Sequence, residues 1–225
     1  MLGVTVAAWA LLVLPIVPPL PRTRQTVADL TRRLTSPGFV RPTLALAAAT
    51  GALSVSGFSP VIGAERDLGP LITGAMVSLL AAGAALLQSR AGRAHDDGRI
   101  GDRTGMAGGL VVTALGCAAV LIPGVAGLLT AAVLIGVGVG LITPIGFANL
   151  AKTSQKERLG QTMGAAEVGR ELGDAGGPLL VGAIAAAVTL TPALLAFGGL
   201  LTATAGLIAA TGRRIPEPTT ENPAA

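Results

Sequence analysis

The chain reads as an all-α, polytopic membrane protein, and three observations predict that class. Charged residues make up 12% of the 225 residues, about half the share of a soluble domain. Mean hydropathy is +0.70. Apolar runs of about twenty residues, the length that crosses a bilayer as helix, alternate with short arginine-rich loops. The net charge of +4 comes almost wholly from arginine. In a soluble protein it would suggest nucleic acid; between apolar spans it sets topology instead, so the expected partner is the lipid bilayer. One cysteine, Cys117, and one histidine, His95, allow neither an internal disulfide nor a cysteine–histidine metal cluster. No nucleophile–base pair, phosphate loop or cofactor motif stands out, so neither an enzyme nor a cofactor is expected.

Seven spans are predicted. Residues 2–20 form the first; no positive charge precedes this run and arginines follow it, unlike a signal peptide. Residues 21–41 are a basic linker with Arg22, Arg24, Arg32, Arg33 and Arg41 against Asp29. Its middle, 26–34, reads either as a short amphipathic helix on the membrane surface or as solvated chain ending at Ser36-Pro37-Gly38. The second and third spans are 39–62 and 68–88, joined by a loop with Glu65, Arg66 and Asp67. A longer basic loop covers 89–103, where His95 is expected to be solvated. The fourth span is 106–122, turned by Pro123-Gly124 into the fifth, 125–150. There Gly136, Gly138, Gly140 and Pro144 suit close helix packing and hinging. Lys152, Lys156 and Arg158 mark the next loop, 160–190 is the sixth span, 192–210 the seventh, and 212–225 a disordered tail. Cys117 and Met163 are expected to pack between helices, and Trp9 is given no role.

With alternating sides, all sixteen basic residues except Arg66 and Arg170 fall on one face. The positive-inside rule then puts the N-terminus outside and the C-terminus in the cytoplasm. Seven spans in this orientation also describe retinal proteins and heptahelical receptors. A retinal protein needs a lysine in its last span, yet both lysines lie in a loop, and the chain has no tyrosine and one tryptophan.

Polar chemistry concentrates in the sixth span. Glu167, Arg170, Glu171 and Asp174 fall within about a third of the circumference at 100° per residue. Gly169, Gly173 and Gly176 are expected on the opposite side as a packing face, with Pro178 opening a charge-free continuation. Counting twenty residues back from Val188 puts Glu167 and Arg170 at the membrane interface and Asp174 roughly 7 Å inside. Arg170 has two partners in reach, Asp174 at i,i+4 and Glu167 at i,i−3. Asp174, with Glu171, is a candidate for reversible protonation, because burial disfavours a charged carboxylate and a neighbouring cation favours it. Against that stands a plain reading of these charges as interfacial groups that fix helix depth.

The loop after the third span reads AGRAHDDGRIGDRTGMAGG. It resembles the Gly-x-x-x-Asp-Arg-x-Gly signature of the major facilitator superfamily. Gly98, Asp102, Arg103 and Gly105 match by spacing, and an overlapping frame, Gly92, Asp96, Gly98 and Arg99, lies nearer the third span. Asp97 stands in a basic position of that second frame, and Met106-Ala107 replaces the usual trailing basic pair. In either frame glycine permits a tight turn while aspartate caps a helix and pairs with arginine, latching two helices. LIGVGVGLITPIGFANLA and GRELGDAGGPLLVGAI are similar to the family's tenth and eleventh spans.

The resemblance implies the C-terminal half of a twelve-span transporter plus one preceding span: 1–20, the connector 21–41, a six-helix bundle over 42–211, and the tail. It also implies secondary transport of a small molecule, proton-coupled export in the manner of bacterial drug-efflux members, in the inner membrane. A cavity between two halves would need a second half or a homodimer. A truncated, non-transporting half acting as a scaffold is the alternative.

Overall fold

The computed structural model describes residues 34–210, together with Trp9 and Arg32. The predicted first span, most of the linker 21–41 and the tail 212–225 lie outside the described residues. Seven α-helices are bounded there: α1 Pro37–Ser54, α2 Ser59–Glu65, α3 Pro70–Asp96, α4 Asp102–Ala118, α5 Gly124–Thr153, α6 Leu159–Ala187 and α7 Leu190–Ala210.

The predicted second span is one rod with a break. Pro37 opens α1 at a position where its missing N–H costs nothing. Further on, Pro60 cannot donate to residue 56 and its ring would crowd that carbonyl. The chain tightens to a 3-10 turn over Val55–Phe58 and restarts as α2. The freed Ser56 carbonyl accepts both the Ser59 backbone N–H and the Ser59 hydroxyl.

The third span corrects the sequence reading. Instead of ending at residue 88, α3 continues to Asp96, and the expected fifteen-residue loop shrinks to 97–101. The extra turns are helical because they pack: Ala91 is buried, and so is His95. Arg93 and His95 in the last turn also suit the negative end of the helix dipole. Gly98 then reverses the chain at φ 71°, the left-handed conformation that glycine adopts without strain. Its N–H bonds the His95 carbonyl at 3.0 Å, and the Arg99 N–H bonds that of Ala94 at 2.9 Å.

Among the described residues, five rods are long and apolar enough to cross a membrane: Pro37–Glu65, Pro70–Asp96, Asp102–Leu121, Gly124–Thr153 and Leu190–Ala210. The 29-residue α6 is not among them, because no stretch of it long enough to cross avoids Arg170, Glu171 and Asp174.

In the bundle α5 runs between α3 and α4, α1 packs on α5 and α6, and α7 closes against α4. The glycines of α5 divide between its two neighbours. A Cβ on Gly136 would stand 2.2 Å from the Leu80 carbonyl oxygen, and one on Gly140 2.7 Å from that of Ala84, both on α3. Gly138, turned about 200° away, abuts α4: its Cβ would lie 2.5 Å from the Gly109 oxygen. Backbones this close leave no room for side chains, the small-residue mode of packing in lipid. Thr113, buried at that contact, returns its hydroxyl to the Gly109 carbonyl at 2.9 Å. The principal core joins α1, α4, α5, α6 and α7 through Ala49, Leu110, Ile142, Val181 and Leu201.

Candidate functional site

The starts of α1, α4 and α6 and the ends of α3, α5 and α7 share one end of the bundle. Arg41, Arg90, Arg93, Arg99, Arg103, Lys152, Lys156 and Arg158 gather toward it. Arg66 is the one described basic residue of the opposite end, where its guanidinium donates to the Val120 carbonyl at 3.1 Å.

At the basic end three helices meet on one imidazole. His95 is buried rather than solvated, with 6% of its surface exposed. Its Nδ1 lies 2.9 Å from the Ile100 carbonyl oxygen and its Nε2 2.8 Å from Lys152 Nζ. Asp102 Oδ1 approaches the same Nε2 at 3.1 Å and stands 3.8 Å from Lys152 Nζ. Lys152 was expected in a loop but occupies the last turn of α5. The predicted signature residues thus fall into place unequally. Gly98 makes the turn and Asp102 opens α4, while a Cβ on buried Gly105 would collide with Ile145 at 2.2 Å. Gly92 sits inside α3 against Pro144 of α5, and Asp96 ends α3 with its side chain exposed. In the Asp102-Arg103 frame the expected pairing is replaced: Arg103 is exposed, and Asp102 turns to His95 and Lys152; Arg99 of the other frame pairs with exposed Asp97 within the loop. No side-chain cap forms at the α4 N-terminus. The latch therefore links α3, α4 and α5, and its two extra members were not singled out from sequence. A lone histidine seven residues before an Asp-Arg pair was the available signal.

The second polar cluster lies on α6. Arg170 takes Glu167, not Asp174: its Nη2 and Nε reach the Glu167 carboxylate at 2.5 and 3.0 Å, and Glu171 lies at 3.5 Å. Asp174 instead accepts a hydrogen bond from the Ser54 hydroxyl at the end of α1. Ser54 was missed because a single serine in an apolar run carries no periodic signal. Asp174 sits about 22 Å from the start of α6 at 1.5 Å per residue, halfway along that helix.

Close contact between α1 and α6 brings Ser54 within reach. A Cβ on Gly169 would meet the Thr43 methyl at 2.3 Å, one on Gly173 the Ala47 oxygen at 2.1 Å, and one on Gly177 the Gly51 oxygen at 2.5 Å. Gly176, expected on this face, has nothing within 4 Å. Four-residue steps keep 169, 173 and 177 on one line of the helix, whereas 176 falls about 100° short of 177. The glycine face consequently flanks the charged strip instead of lying opposite it. Pro178 lies inside α6, half-buried beside the contact. Met163 joins Leu46, Leu150 and Ala166 in a small apolar cluster, Cys117 is buried in the core, and Trp9 is exposed.

Parallel apolar rods packed through glycine, with basic residues at one end, define a polytopic α-helical membrane protein. The family model of the Major Facilitator Superfamily matches residues 43–225. The chain belongs to that family of membrane transporters, whose members are not enzymes. A comparison with curated proteins finds no significant match. The family match covers both clusters.

Proposed function

We propose that the chain serves as a secondary active transporter, exporting a small organic compound against proton entry, with Asp174 as the group that gains and loses the proton. The observation that carries this reading is the position of Asp174: halfway along α6, beside an apolar rod, and bonded to a neutral hydroxyl while Arg170 is engaged by Glu167. The direct ion pairs of Arg170 go to Glu167 and Glu171, which leaves the Asp174 carboxylate on a neutral donor and open to a proton. Glu167, Arg170 and Glu171 fix the polar face around it. α6 crosses with its neighbours in this reading, because it is locked to α1 along three successive turns. The basic end is cytoplasmic by the positive-inside rule, the membrane is a bacterial inner membrane, and the substrate path lies between this bundle and a second six-helix unit.

The test is proton-driven movement of a lipophilic cationic dye in inverted vesicles. Asp174→Asn is expected to remove gradient-driven transport at unchanged protein level, with passive dye binding retained. Unchanged transport in that variant takes Asp174 out of the mechanism. Vesicles in which the wild-type chain moves nothing, across a panel of such dyes, point to a non-transporting scaffold.

A further inference from the structure

The cluster at the basic end contains a conflict that a single proton resolves. The Ile100 carbonyl can only accept, so His95 Nδ1 carries a hydrogen and donates to it at 2.9 Å. In the neutral ring Nε2 then has only a lone pair. That lone pair suits Lys152, whose ammonium lies at 2.8 Å. It does not suit Asp102, whose Oδ1 lies 3.1 Å from the same nitrogen. This oxygen is buried and accepts no hydrogen bond from any described residue. A buried carboxylate oxygen in that position is costly. Protonation of Nε2 reverses both relations: the ring gains a donor facing Oδ1, and the imidazolium repels Lys152.

We propose that His95 is a proton-operated latch, neutral when it joins α3 to α5 through Lys152 and protonated when it joins α3 to α4 through Asp102. The proton taken up goes to Nε2, and no other bond is made or broken. Lys152, released, remains near Asp102, 3.8 Å from the same oxygen. Imidazole gains or loses one proton without any covalent change, so the exchange follows acidification at the basic end of the bundle. The charges facing the ring are Asp102 from α4 and Lys152 from α5. In the loop Asp97 and Arg99 pair with each other at 3.6 Å. Arg93, Asp96 and Arg103 are exposed. This device is independent of Asp174 and of whether the chain transports anything.

His95 is the only histidine, so histidine-selective 15N labelling of the full chain in nanodiscs reports one ring. At alkaline pH the wild type is expected in the Nδ1–H neutral tautomer, the less common form in free histidine. Lowering the pH protonates Nε2. Asp102→Asn should move that step to lower pH and Lys152→Met to higher pH, each by about one unit, or tenfold in proton affinity. Nitroxides at Arg93→Cys and Lys156→Cys, with Cys117→Ala, should show weaker dipolar broadening below the midpoint and no pH response when His95→Gln is added. An Nε2–H tautomer at alkaline pH overturns the proposal, and that measurement needs no variant. So does a midpoint that neither substitution moves, or broadening that ignores pH.

Discussion

Gly173→Ala tests whether α1 and α6 are held together by backbone contact. The added Cβ would stand 2.1 Å from the Ala47 oxygen and 2.6 Å from its Cα and carbonyl carbon. Atoms cannot be compressed that far, so the helices must part or α6 must rotate. Either movement opens the flanking contacts, where a Cβ at Gly51 or Gly177 is only 2.9 or 2.5 Å from the facing oxygen. Over-packing of this kind costs about 1–3 kcal/mol. For a chain of this length each kcal/mol is worth about 2–4 °C, so the midpoint should fall by roughly 2–12 °C. Gly176→Ala is the control: its Cβ enters open space, and the better helix former is neutral or stabilising by up to about 1 kcal/mol. Cys117, the only cysteine, is buried, so a fluorogenic thiol dye reports unfolding in detergent without added labels. Equal midpoints for the two variants would refute the backbone-contact account.

Two further substitutions probe the sites locally. Ser54→Ala removes the donor on Asp174; because Asp174 is exposed, the loss should be about 1 kcal/mol. A double-mutant cycle with Asp174→Ala, which removes the acceptor, should show coupling, and zero coupling would separate the two residues. Gly98→Ala forces an L side chain into the left-handed region at φ 71°, costing about 1–2 kcal/mol. Gly98→Asn should lose less in the same dye assay, and equal losses would rule out that conformation as the cause.

Apolar run length and arginine placement made the rods legible in the sequence, since both act over many residues. The end of α3 was not legible that way. Ser89, Arg90 and Arg93 look like loop residues by composition, and only the burial of Ala91 and His95 against other helices keeps them helical. The break at Val55–Phe58 had a local cause in Pro60 that a hydropathy reading passes over. In the candidate sites, the charged strip on α6 was visible from its helical spacing. Its partners were not: choosing Glu167 over Asp174 for Arg170 depends on rotamers, and Ser54 and Lys152 arrive from residues distant in sequence. Gly176 was misplaced by one position, which on a helix is about 100° of rotation.

That rotation has a consequence for what surrounds α6. Going around the helix, the α1 contact at Gly169, Gly173 and Gly177 separates two different strips. On one side lie Glu167, Arg170, Glu171 and Asp174. On the other lie Val168, Leu172 and Leu179, the last two at 70% and 72% exposure. An unpaired charge facing hydrocarbon near mid-span costs about 2.5–3.5 kcal/mol, whereas leucine there is favoured. If α6 shares the depth of α1, the apolar strip must face lipid and the charged strip water or protein. A nitroxide placed in turn at 168, 171, 172, 174, 176 and 179, clear of the α1 contact, measures this. Dissolved oxygen, which partitions into lipid, should relax labels at 168, 172 and 179 most strongly. A water-soluble nickel complex should relax those at 171 and 174. Labels that all favour oxygen would place the charges against lipid and remove the physical basis for a proton site at Asp174. Labels that all favour nickel would put α6 outside the membrane, and Asp174 would then be a surface carboxylate.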